Sequence, residues 1–250
     1  MPKYSDILSS FKSQDTLNPV IWNNVDTKLP TLKPNIRKAL LSIAEEFINF
    51  LDLEFFIDNI TFTGSLANYN WSEFSDIDLH VLVDFTQFDE HDREMYKELF
   101  SLKKTLFNST HNITIKGYEV ELYTQDIEET HYSTGVYSVM FDSWIAPPEK
   151  EKFQVDKGLL LTKVESWMNK IDEVLDETKQ EELDDALQII DDFKDKLKKY
   201  RSAGLEQGGE YSYENLVFKF LRRNGYIQKL FDFENEIIDK RLSLEGEEII

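Results

Sequence analysis

TFTGSLANYNWSEFSDIDLHVLVDF, residues 61–85, decides how the chain is read. Ile77, Leu79, Val81, Val83 and Phe85 alternate with Asp76, Asp78, His80, Leu82 and Asp84. Side chains two apart in a strand leave the same face, so the spacing predicts a strand over 77–85 with one apolar and one acidic face. Asp76 and Asp78 then stand side by side, and their charges repel unless a cation lies between them. Magnesium meets that need with hard oxygen ligands and keeps positions open for substrate phosphates; manganese is the alternative. Ten residues separate Ser65 from Asp76. Gly64 allows close backbone approach to a phosphate. Ser65 adds a hydroxyl and, if it opens a helix, an anion-favouring N-terminus. A phosphate grip followed by a metal grip suits triphosphate chemistry.

Upstream, Ile36, Leu40, Ile43, Phe47 and Leu51 recur at helical spacing behind Pro34, which suits a first-turn position. Residues 57–63 alternate as a strand, and a short helix or turn is expected over 66–72. Downstream, a helix is expected over 92–107, two strands over 112–116 and 118–124 around Gly117, and one strand over 135–145. Tyr118, Val120 and Leu122 share one face of the second of those strands, so Glu119 and Glu121 share the other. After Pro147-Pro148 the pattern turns helical over 160–175 and 183–200, with AGLEQGGEYS (203–212) expected as a loop. Ser212 is positioned to cap a helix through 223, and a last helix is expected over 226–241. A short helix is expected over 4–11. These patterns predict an α+β fold, a sheet with flanking helices over 1–150, followed by an all-helical C-terminal domain over 151–250.

The run Phe62-Thr63-Gly64-Ser65, ten residues, then Asp76-Ile77-Asp78-Leu79 resembles the nucleotidyltransferase superfamily that includes DNA polymerase beta, kanamycin nucleotidyltransferase and the CCA-adding enzymes. The likeness covers about residues 34–124. It implies a nucleotidyltransferase-fold mixed sheet and a third carboxylate on a later strand. Glu121, between Val120 and Leu122, is the preferred candidate, although many members place aspartate there. The resemblance implies that Asp76 and Asp78 bind two metal ions, that Glu121 completes the site of one and helps activate an acceptor hydroxyl, and that attack on the α-phosphate of a nucleoside triphosphate such as ATP releases pyrophosphate. In related enzymes a helical domain supplies a base to the triphosphate. Lys199, Arg201, Lys219, Arg222 and Arg223 are therefore candidates, against the blander reading of exposed helix faces balancing nearby acids. The segment from 203 to 223 also resembles the tails of uncharacterised nucleotidyltransferases, some of them phage-encoded.

The composition limits the acceptor. Forty-eight acidic and 28 basic residues give a net charge of −20, which opposes binding along a nucleic-acid tract. A small molecule or protein acceptor is favoured, and a single RNA end is compatible with a local basic patch such as 194–201, where five bases accompany one acid. Cysteine is absent, excluding disulfides and thiolate metal sites. No apolar run reaches the ~18 residues of a membrane span. The opening MPKYSDILSS lacks the pattern of a secretory leader, and a cytoplasmic protein is expected. His80 shares the carboxylate face and is expected beside the site or solvated rather than as a ligand. His91, His111 and His131 lack zinc spacing. Tyr69, Trp71 and Phe74 are expected to pack beneath the loop rather than stack on a base. Two other classes compete. A glycosyltransferase also uses Asp-x-Asp, yet normally after a longer nucleotide-binding region. A catalytically inert nucleotide-binding or acidic inhibitor protein would keep the fold without turnover.

Overall fold

The computed structural model describes residues 2–129, 133–150 and 153–243. The chain forms two compact units: Lys12–Phe153, and Met1–Phe11 together with Gln154–Ile250. The first helix, α1 (Tyr4–Ser10), thus belongs with the C-terminal helices.

The first unit is built on a mixed sheet, as expected. A two-residue strand β1 (Trp22–Asn23) pairs with β2 (Thr31–Leu32) ahead of helix α2 (Pro34–Leu51), which starts with proline in its first turn and ends at Asp52 in the left-handed region, φ 51°. Then come β3 (Ile57–Thr63), a single 3-10 turn at Ser65–Ala67, β4 (Ile77–Val83), α3 (Arg93–Thr110), β5 (Thr114–Ile115), β6 (Tyr118–Asp126), β7 (Val136–Ser138) and β8 (Ser143–Ala146). The six-stranded sheet runs β5-β6-β4-β3-β7-β8. β4 is antiparallel to β3 and parallel to β6, so helix α3 serves as the crossover.

The alternation along β4 assigns the two faces. Phe62, Ile77, Leu79, Val81, Val83 and Leu122 are fully buried and form one core with Ile36, Leu40, Ala44 and Phe47 of α2 and Phe100 and Phe107 of α3. Burying each large side chain is worth about 1.5–3 kcal/mol, which fixes the register. A slip of one residue would turn the acidic set into that core. Beyond β5, at the outer edge of β6, Asn108 donates to the Leu122 carbonyl at 2.8 Å and accepts from its amide at 3.1 Å.

The sheet differs from expectation at its far edge. The single strand expected over 135–145 is a hairpin of β7 and β8. Asp142 takes φ 55° and accepts from the Tyr137 hydroxyl at 2.8 Å, while Ser138 Oγ accepts from the Phe141 amide. Arg37 of α2 donates to the carbonyls of Val139 and Met140, at 2.8 and 2.7 Å, and so fixes the reversal. None of these partners is a glycine or proline, so the turn carries no compositional mark.

The second unit comprises α1, α4 (Lys157–Glu177), α5 (Leu183–Gly208), α6 (Tyr213–Arg223) and α7 (Tyr226–Leu242). Ser212 caps α6 through the Asn215 amide, as expected. The loop expected over 203–212 is mostly helix: α5 runs on to Gly208 and a 3-10 turn covers Gly209–Tyr211. Gly204 is used for packing, since a Cβ there would lie 2.3 Å from the Glu214 Cβ. Gly209, at φ 63°, ends the helix. α1 is held by Arg223, which donates to Ser10 Oγ at 2.9 Å, and by Tyr4, edge-on to Phe220 at 5.4 Å. No helix of the described residues is long and apolar enough to cross a membrane.

Candidate metal centre

Asp76, Asp78 and Glu121 converge. One carboxylate oxygen from each lies within 4.8 Å of the others, and all three side chains are half-buried. The register brings them together: Asp78 on β4 pairs with Glu121 on the parallel β6 and, on its other side, with Thr63 on β3. Asp76 stands just before β4 on the same face. Three hard oxygen donors at this spacing are within reach of one divalent ion with ligands at about 2.0–2.6 Å. The donor set therefore fits magnesium or manganese and lacks the nitrogen or sulfur that zinc favours. Glu119 shares that face of β6 but is exposed and pairs with Thr114 at the sheet edge, away from Asp78. Glu121→Gln is expected to weaken Mn²⁺ binding by at least about tenfold, and Glu119→Gln by less than about twofold, by calorimetric titration.

Gly64 adopts φ 77° and ψ −167°, backbone that essentially only glycine takes. A Cβ at this position would lie 1.7 Å from Asp78 Oδ2. The glycine thus makes room for a carboxylate of the cluster, a contact outside the expected approach to a phosphate. Ser65 opens only a three-residue 3-10 turn, and its hydroxyl donates to Ser75 Oγ at 2.7 Å. Ser75 Oγ also accepts from the Ser72 amide at 2.9 Å. Those bonds tie the Gly-Ser turn to the residue preceding Asp76, so both ends of the connecting loop are set together.

The rest of the loop is clamped by residues that composition does not single out. Asn68, 3% exposed, donates to the Gly64 carbonyl at 2.8 Å and to Ser133 Oγ at 2.9 Å, and accepts from Thr134 Oγ1 at 2.8 Å. Gly135 lets this segment close in, since a Cβ there would be 2.2 Å from the Ala67 carbonyl oxygen. Trp22 Nε1 donates to the Leu66 carbonyl, and Trp71 Nε1 donates to that of Thr16. Tyr69 and Trp71 are partly buried against the core, the packing expected of them. Asn68→Ala leaves the Gly64 carbonyl and the Thr134 hydroxyl without that partner and is expected to cost about 1–3 kcal/mol, read as an earlier urea midpoint.

Tyr123 is the neighbour that was not anticipated. Two residues past Glu121 on β6, it shares the acidic face, and its hydroxyl donates to Glu121 Oε2 at 2.5 Å. Burial first, then the charges of Asp78, Glu121 and Asp76 with the Glu121 hydrogen bond, hold the phenol well above its ordinary pKa, so it stays a donor. His80 pairs with Tyr123 across the strands, and the two rings stack at 4.8 Å and 20°. Lys104 of α3 places Nζ 5.3 Å from the Tyr123 ring centre. Strand alternation alone could have found Tyr123; Lys104 carries no such signal.

Of the basic candidates, Lys199 is exposed on α5 and Lys219 half-buried on α6. Arg201 donates to Asn215 Oδ1 at 3.2 Å and stacks on Phe218 at 4.4 Å, both inside the helical unit. Arg223 lies over Phe11 at 5.0 Å, and Arg222 is exposed at the end of α6. His91 and His111 are exposed, and His131 lies outside the described residues.

Fold and site together define an α+β protein whose mixed sheet carries an acidic cluster able to hold a divalent metal ion. No protein-family model matches the chain, and no curated protein matches it. Among solved structures it is similar to a STING-associated CdnE c-di-GMP synthase from Capnocytophaga granulosa, at 13% identity over 84% of this chain and 83% of that one. The TM-score is 0.23, too slight a likeness to carry any argument.

Proposed function

We propose that the chain is a magnesium-dependent nucleotidyltransferase. It moves a nucleoside monophosphate from a triphosphate to an acceptor hydroxyl. The observation that carries this reading is the convergence of Asp76, Asp78 and Glu121 beside a glycine turn that the sheet holds against them. Bound divalent ions supply charge neutralisation at the phosphates and lower the barrier to in-line displacement. Asp76 and Asp78 would hold the ions, and Glu121 would complete the site of one of them and take up the proton of the acceptor hydroxyl as it attacks. The acceptor oxygen forms a bond to the α-phosphorus as the bond to the β-phosphate oxygen breaks and pyrophosphate leaves. Gly64 and Ser65 present the turn to the triphosphate. The net charge of −20 favours a small-molecule or protein acceptor over a nucleic-acid tract.

The test is incubation with each of the four α-labelled triphosphates, Mg²⁺ and a fractionated cell extract. The expected result is label in one acceptor fraction, with pyrophosphate released and both lost on chelation. Triphosphate binding without transfer in any fraction would instead favour an inert binding protein.

A further inference from the structure

We propose that Tyr123 is a positioning residue that makes a glutamate serve as the third metal ligand. The inference rests on the metal-site reading above and deepens it. A glutamate carries one more rotatable bond than an aspartate, so its carboxylate is harder to hold in one orientation. The two aspartates stand on or beside β4, whereas Glu121 must reach across from β6. The Tyr123 hydroxyl takes Oε2 in a short, charge-assisted hydrogen bond at 2.5 Å. That removes the rotation and leaves the second oxygen for the ion.

The phenol is itself fixed. Its ring stacks on His80 at 4.8 Å, and Lys104 Nζ lies 5.3 Å from the ring centre. Register sets both pairings at once: Glu121 is opposite Asp78, and Tyr123 is opposite His80. The residue two register positions further along, on the same face of the sheet, therefore orients the ligand opposite Asp78. Hydrogen bonds that orient metal ligands in this way are typically worth about 10–100-fold in metal affinity.

Tyr123→Phe keeps the ring and removes only the hydroxyl. Mn²⁺ affinity of the full chain, measured by electron paramagnetic resonance titration, is expected to fall about 10–100-fold, with the metal-free melting curve still cooperative. Glu121→Asp supplies the second arm. The shorter side chain draws back from the phenol, so adding Tyr123→Phe to it should change Mn²⁺ affinity by less than about twofold. Unchanged affinity in Tyr123→Phe, or an equal loss in both backgrounds, would overturn the positioning role while leaving the metal site standing. A wild-type chain that binds no Mn²⁺ would remove the site and the positioning role together.

Discussion

Gly64→Ala is expected to abolish metal binding and nucleotide transfer together, although it adds a single methyl group. Two independent effects act at this position. The backbone conformation, φ 77° and ψ −167°, strains any residue with a Cβ, by about 1–3 kcal/mol. The new Cβ would also sit 1.7 Å from Asp78 Oδ2 and 2.8 Å from its Cγ, far inside contact distance. Either Asp78 swings out of the cluster or the turn moves away from it, and both separate the ligands. A fall of at least about 100-fold in Mn²⁺ affinity is expected, equivalent to some 2.7 kcal/mol. Gly117→Ala separates the two effects. Gly117 has φ 89° and open space within 4 Å of where a Cβ would stand, so that variant should lose stability alone and keep its metal affinity. Equal metal affinities for Gly64→Ala and wild type would show that the Asp78 carboxylate does not need its place against the turn.

Asp78→Asn is expected to remove at least about 10³-fold of transfer activity while leaving the fold intact. Asparagine fills the same volume on β4 but brings no negative charge to the cluster. Asp78 occupies the centre of the site, between Thr63 on one side and Glu121 on the other, so neither neighbour can substitute for it. The check that separates binding from folding is the thermal shift with magnesium. A ligand at 100 times its dissociation constant stabilises the folded state by about 2.7 kcal/mol. For a chain of this length that corresponds to roughly 5–10 °C in melting temperature. The wild type should show such a shift, and Asp78→Asn should lose it. Circular dichroism should show unchanged secondary structure. A variant that kept both the shift and the activity would take Asp78 out of the site.

The acidic face was legible because a strand's period is two and because burial on the opposite face pins the register. Ile77, Leu79 and Val81 had only one face available once Asp76 and Asp78 were on the other. Glu121 over Glu119 followed from the flanking apolar residues, and the parallel pairing of β6 with β4 puts it opposite Asp78. What escaped the sequence depends on contacts between distant segments. Asn68 is one of several asparagines until Ser133 and Thr134 approach it from 65 and 66 residues away. Gly64 reads as a phosphate turn, and only the fold shows that its missing Cβ admits Asp78. The β7–β8 hairpin was hidden because a side-chain carboxylate, an arginine and a serine hydroxyl make its turn without glycine or proline. In α5, three nearby glycines suggested a loop, yet Gly204 contributes packing against Glu214 that outweighs its poor helix propensity, about 1 kcal/mol relative to alanine. The partner of α1 was equally out of reach, since its anchors Phe220 and Arg223 lie over 200 residues along the chain.

Crystals soaked with Mn²⁺ and an α,β-nonhydrolysable triphosphate, with diffraction recorded at the manganese edge, test the metal centre most directly. The expected result is anomalous density bounded by Asp76, Asp78 and Glu121, with the triphosphate running toward Gly64 and Ser65. Manganese bound elsewhere with those three carboxylates left bare would contradict the assignment.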